Sequence, residues 1–268
     1  MNTKLIKNNG GQIAYEDLEA GGGTPVICIP SMGDVRSEYR FLSPQLQQAG
    51  LRPICMDVRG HGESSTVWDD FSVAGVGRDL LELARSLKAG PVLVVGTSMA
   101  AGAAVWAAAE APELFKGLVL IGPFVRGETS STNRLLYSLM FSRPWGPAVW
   151  LMYYKTLYPS RKPADFEAYT AALQANLTQP GRLEALQKML SASKSASEAR
   201  LVGVKTPVLV VMGSKDPDFK QPAIEARWVA DQLQAELSLI DGAGHYPHAE
   251  MPEIVAPRIV EFLWRVNS

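Results

Sequence analysis

Five short runs in this chain are apolar at nearly every position and rich in Val and Ile: Val26–Ile29, Pro53–Val58, Val92–Val95, Leu118–Ile121 and Val208–Met212. A strand with one wet face alternates apolar and polar residues, whereas a continuously apolar strand is buried on both faces. Segments with helical spacing separate most of these runs. Leu80, Leu83, Ala84 and Leu87 share one helix face between the second and third runs, and the Ala-rich stretch Met99–Glu110 follows the third at once. This alternation predicts an α/β fold, with a mostly parallel central sheet flanked by helices on both sides. Gln12–Glu19 alternates Ile13, Tyr15 and Asp17 with Ala14, Glu16 and Leu18, and is expected as an antiparallel edge strand.

The rhythm stops after Gly122-Pro123. From Phe124 to about Arg200 there are only helical patterns, broken by Pro144, Pro147, Pro159, Pro163 and Pro180, and the alternation resumes at Thr206. The 268 residues therefore read as one core, residues 1–123 and 203–268, with residues 124–202 inserted as a helical cap. The insertion holds ten of the 22 aromatic residues and has ten basic side chains against five acidic ones. Three readings of that composition stand. The aromatic residues pack onto the core beneath a solvated basic face; or Tyr137, Phe141, Trp145, Trp150 and Tyr153 line an apolar substrate pocket; or the helices touch a membrane surface.

Composition excludes several classes. A formal charge of −1 gives no electrostatic drive toward nucleic acid. Cys28 and Cys55 are too few for a disulfide scaffold or a cysteine-built zinc site, and inside apolar strands they are expected as buried thiols. His61, His245 and His248 show no metal-ligand spacing, and no Gly-rich dinucleotide fingerprint follows the first apolar run, so neither metal nor cofactor is expected. The longest apolar stretch, Leu135–Tyr158, is interrupted by Arg143, Pro144, Gly146, Pro147 and Lys155, which argues against a membrane span. The first ten residues carry no apolar leader core, and a cytoplasmic location is expected.

The strongest chemical signal is Val92-Leu-Val-Val-Gly96-Thr97-Ser98-Met99-Ala100-Ala-Gly102. An apolar strand ends in Gly-x-Ser, and an Ala-rich helix starts immediately. Such a turn lifts a serine hydroxyl above the sheet and sets it beside free helix N–H groups. The bland alternative is a serine that merely caps the helix. A serine nucleophile needs a base, and the base an orienting acid. Candidates follow the last two apolar strands: Asp216 or Asp218 after Val208–Met212, and His245 or His248 after Glu236–Ile240. Both loops leave the C-terminal strand edge, where open α/β sheets gather their ligand groups.

With these residues the sequence resembles the α/β-hydrolase fold family. Gly96-Thr-Ser98-Met-Ala100 resembles its nucleophile elbow, with Ala100 in place of the second glycine. The order Ser98, Asp216, His245 matches its triad. Asp57-Val-Arg59-Gly60-His61-Gly62-Glu63-Ser64 resembles the loop after its fourth strand, and Pro30-Ser31-Met32-Gly33 its oxyanion loop, with Ser31 departing from the usual glycine. The resemblance implies that Ser98 attacks a carbonyl carbon, that His245 moves the proton, and that Asp216 orients His245. It also implies that the backbone N–H groups of Met32 and Met99 bind the oxyanion. His61 and His248 are then structural, and Asp216, just before Pro217, is favoured over Asp218.

A serine at the elbow argues against the dehalogenase and epoxide hydrolase members, which use aspartate there. The expected activity is hydrolysis of carboxylic esters through an acyl-enzyme, on small-to-medium apolar acyl substrates. A carbon–carbon bond hydrolase, hydroxynitrile lyase, lactonase, thioesterase, or cofactor-free haloperoxidase or perhydrolase on the same triad is the alternative. A slow-turnover ligand receptor on the same fold is the alternative from another class.

Overall fold

The computed structural model describes residues 3–8, 10–18, 22–128 and 130–268. Eight strands form one sheet: β1 (Thr3–Asn8), β2 (Gly11–Asp17), β3 (Pro25–Ile29), β4 (Arg52–Met56), β5 (Val92–Thr97), β6 (Phe115–Ile121), β7 (Val208–Gly213) and β8 (Glu236–Ile240). Their spatial order is β1-β2-β4-β3-β5-β6-β7-β8. The pairs β1–β2 and β2–β4 are antiparallel, and the rest of the sheet is parallel. Around it lie α1 (Ser43–Gln48), α2 (Val73–Leu87), α3 (Met99–Glu110), α4 (Ser131–Met140), α5 (Gly146–Thr156) and α6 (Phe166–Thr178). The remaining helices are α7 (Arg182–Ser191), α8 (Ser195–Glu198), α9 (Pro222–Leu233), α10 (Pro247–Glu250) and α11 (Pro252–Asn267).

Two cores explain the continuous apolar runs. Side chains alternate across a strand. Val92 and Val94 join Ile27, Ile29, Leu118 and Leu120 under α2, α3 and α9. Leu93 and Val95 join Val26, Cys28, Val119 and Ile121 under α1 and α11. Every residue of β3, β5 and β7 is buried. Burying each such Val, Leu or Ile contributes about 1.5–3 kcal/mol. Cys28 and Cys55 face each other across β3 and β4 as free, buried thiols.

The second apolar run is shorter than its sequence suggests. The strand ends at Met56, because the buried Asp57 leaves it to accept hydrogen bonds from the Arg36 and Glu63 amides, at 2.7 and 2.9 Å. The edge strand β2 covers Gly11–Asp17, and Glu19, its expected end, lies outside the described residues. Strand β1 was not anticipated, since its exposed Leu5 and buried Ile6 give too weak a pattern in a Lys-rich stretch.

Between β6 and β7 the described residues form helices α4 to α8 and a final 3-10 turn, with no strand. They sit over the C-terminal strand edge. Buried Asp34, in the loop after β3, accepts hydrogen bonds from Tyr154 of α5 at 2.8 Å and from Tyr169 of α6. Arg40 grips Asp165 through two hydrogen bonds of 2.6 and 2.9 Å and lies 3.7 Å from the Tyr169 ring centre. No helix among the described residues is long and apolar enough to cross a membrane.

Candidate active site

Strand β5 lies at the middle of the sheet, and Ser98 is the one residue between it and α3. Its backbone is left-handed, with φ 59° and ψ −121°. A non-glycine residue held there costs about 1–3 kcal/mol and persists only when its surroundings fix it. Here the Ser98 amide donates to Ile121 O at 2.8 Å, and Ser98 O accepts from the Phe124 amide at 3.2 Å. Two residues back, a Cβ on Gly96 would lie 2.9 Å from the Ala100 carbonyl oxygen, so only glycine lets the strand and helix approach this closely. The Ser98 hydroxyl makes no capping hydrogen bond to α3, which removes the bland reading of this serine.

The partners come from the two loops named by the sequence. His245 Nδ1 lies 2.7 Å from Asp216 Oδ2 and 3.7 Å from Asp218 Oδ2. Asp216 also accepts from the Asp218 amide at 3.0 Å, and Asp218 accepts from the Tyr153 hydroxyl. The backbone of His245 is tied to Leu157 O at 3.0 Å. Burial alone would lower the affinity of His245 for a proton. The negative charges of Asp216 and Asp218 outweigh it and raise the imidazole above its ordinary value. Burial acts the other way on Asp218 and holds its carboxyl above the usual range. Donor atoms of Asp216, Asp218 and His245 lie within 4.8 Å of one another, so the three could ligate a cation. Nδ1 of His245, however, is already committed to Asp216.

The Met32 loop is fastened on both sides. The Ser31 amide donates to Glu38 Oε2 at 2.8 Å, and the Ser31 hydroxyl bonds to that of Tyr246. Gly33 donates to His61 Nε2 at 3.0 Å, and its carbonyl accepts from the Trp150 indole at 3.2 Å. A Cβ on Gly33, at φ +76°, would run into the Trp150 ring. His61 Nδ1 lies 3.1 Å from Arg59 O, so the ring is a neutral brace between two loops, and burial pushes it down to about 4. His248 is also away from the cavity, 3.1 Å from Glu38 Oε1 and stacked on Tyr39.

These groups border one cavity of about 370 Å³. Ser98, His245, Met32 and Asp218 line it beside Tyr137, Phe141, Trp150 and Tyr153. Trp145 does not reach it. It precedes the first turn of α5, is 53% exposed, and bonds through its indole to Leu139 O at 3.1 Å. Sequence reasoning missed Phe124, Leu190, Lys194 and Tyr246 as lining residues. Adjacency to His245 was a usable signal for Tyr246, whereas nothing distinguished Lys194 from the other basic residues of the insertion.

Comparisons with known proteins place the fold. The sequence matches the alpha/beta hydrolase family over residues 26–258. It is 28% identical to the monoglyceride lipase of Homo sapiens, over 93% of this chain and 85% of that protein. It is 27% identical to the 2-hydroxy-6-oxononadienedioate/2-hydroxy-6-oxononatrienedioate hydrolase of Paraburkholderia xenovorans, over 96% of this chain and 93% of that one. Among solved structures, a thermophilic esterase from Thermogutta terrifontis superposes with a TM-score of 0.78 at 23% identity, covering 100% of both chains. The chain belongs to the alpha/beta hydrolase family.

Proposed function

We propose that this protein hydrolyses carboxylic esters through an acyl-enzyme on Ser98. The observation that carries the reading is the buried His245–Asp216 pair, 2.7 Å apart, bordering the same cavity as a serine in a left-handed turn. His245 Nε2 takes the Ser98 proton as Oγ attacks the carbonyl carbon, and returns it to the departing alkoxide. Water then repeats the sequence on the acyl-enzyme and releases the acid. No hydrogen bond joins Ser98 to His245 among the described residues, and such contacts tighten when substrate binds. The amides of Met32 and Met99 serve the oxyanion, each worth about 3 kcal/mol in the transition state. The four anchors on the Met32 loop support its share. The substrate is a small-molecule ester.

Residues 124–202 act as the lid of a core formed by residues 1–123 and 203–268. A cavity of about 370 Å³ with aromatic walls suits small-to-medium apolar acyl groups. The similarity to monoglyceride lipase supports ester cleavage. The similarity to the dienedioate hydrolase supports a second reading, carbon–carbon bond hydrolysis by the same triad.

The test is hydrolysis of p-nitrophenyl esters, from acetyl to palmitoyl, by wild type and Ser98→Ala. Wild type turns over and the variant loses about a thousandfold or more. Octanoyl esters outperform acetyl esters if the aromatic wall selects the chain. A wild type inert across the series, yet active on a dienoic diketone, moves the assignment to the second reading.

A further inference from the structure

Lys194 is out of keeping with the cavity that it lines. It is 9% exposed, and burial alone acts on its ammonium, lowering it from its ordinary value. Among the described residues, no carboxylate or hydrogen-bond acceptor pairs with that ammonium. The other buried cations each have an acceptor or a counter-charge, although Arg182 Nε has no hydrogen-bond partner among the described residues. Arg59 forms two hydrogen bonds of 2.7 Å to Asp79, and Arg182 donates to Ser64 O within the field of Asp57 and Glu63. Lys194 Nζ opens to the cavity and is only partly desolvated, and an ammonium there with no counter-charge gains when an anion arrives.

The position of Lys194 is fixed. Its amide donates to Gly127 O at 3.1 Å. It immediately precedes α8, and Ser197 of α8 donates to Gly102 O of α3 at 3.0 Å. Gly102 lies in the first turns of the helix that begins after Ser98. The other charged side chain near the proposed triad, Asp218, also lines the cavity. An anion entering here is drawn to Lys194 and repelled by Asp218.

Resting on ester hydrolysis at Ser98, we infer that Lys194 is a specificity-determining residue that pairs with a carboxylate carried by the substrate. The substrate class is then an ester whose acyl chain bears a second, ionised carboxylate. The scissile carbonyl lies at Ser98, and the free carboxylate ends the chain at Lys194. A charge-assisted hydrogen bond in a partly desolvated site gives this preference its size.

The test compares monomethyl glutarate and monomethyl adipate with methyl esters in which an isopropyl group replaces the free carboxylate. The readout is the ratio of kcat/KM for each anionic ester to its neutral counterpart. Wild type favours the anionic ester. Lys194→Met lowers the ratio about 10- to 100-fold, and Lys194→Arg recovers part of it. Lys194→Met also melts no lower than wild type, because it removes a partly desolvated charge that has no partner. A ratio unchanged in Lys194→Met overturns the inference. Calorimetry with glutarate on Ser98→Ala separates this failure from failure of the esterase reading. If Ser98→Ala binds glutarate, the added Lys194→Met abolishes that binding, and wild type cleaves no ester, the anion site stands and the esterase reading falls. If neutral esters are cleaved but glutarate binds neither protein, the anion site falls and the esterase reading stands.

Discussion

Helices α5 and α4 border the same cavity, with α6 packed against α5, but they are seated differently. The pair α5–α6 buries Trp150, Tyr154, Phe166, Tyr169, Leu173 and Leu177, and ties two tyrosines to Asp34. Helix α4 buries no residue, and its Leu135, Leu136 and Leu139 are 63%, 48% and 60% exposed. It reaches the cavity through Tyr137 and Met140, and Gln187 of α7 donates to Ser138 O and Phe141 O at 3.0 Å. Burial and buried hydrogen bonds set local stability. One wall of the cavity is therefore built with the core, and the other is the part that can give way.

The most severe way to break this contrast is Trp150→Ala. Trp150 is 3% exposed, packs on Phe141 and Tyr153, and bonds to Gly33 O. Its loss costs about 3–5 kcal/mol by denaturant unfolding and lowers kcat/KM by loosening the Met32 loop. Asp34→Ala comes next, at about 2–4 kcal/mol, since it strands two buried tyrosine hydroxyls. Leu139→Ser in α4 stays within about 0.5 kcal/mol. If Leu139→Ser proves as costly as Asp34→Ala, α4 is no looser than its neighbours. Amide exchange sharpens the contrast without mutation, with α4 exchanging faster than α5 and α6.

Asp218→Asn probes the fixed side electrostatically. A negative charge 3.7 Å from His245 favours the imidazolium, so removing it lowers the His245 pKa. The base must be neutral to act. The acid limb of the kcat/KM profile for ester hydrolysis therefore moves to lower pH in Asp218→Asn, and a limb that stays put or rises contradicts the assignment.

The sequence was legible where burial is two-sided. Strands β3, β5 and β7 read directly from their Val and Ile runs, and the strand–Ser98–helix turn from its small residues. Strand β1 was hidden because one of its faces is wet, although the Asn9-Gly10 dipeptide before Gly11 was a hairpin signal. The walls of the cavity were less legible. Trp145 and Trp150 look alike in the sequence, but one precedes the first turn of α5 and the other faces inward from its middle. Asp34 reads as an ordinary loop acid, and its burial arises only when α5 and α6 close over it. Neither outcome is local, so residue spacing does not report it.

The brace made by His61 also ties the fold to acidity. Its ring is neutral in the folded protein down to about pH 4, whereas a free histidine takes up a proton near 6.5. As pH falls through that interval, protons bind the unfolded chain in preference to the folded one. The stabilisation is whole above pH 6.5 and is lost as pH drops toward 4, about 3 kcal/mol when complete. Asp34 has the opposite sign: burial raises it to about 7, so its protonation favours the folded state on the acid side. The difference in unfolding free energy between wild type and His61→Gln, followed from neutral to mildly acidic pH, isolates the histidine. The ring that holds the Met32 loop in place thus makes acid a threat to that brace, one that Asp34 opposes in the fold as a whole.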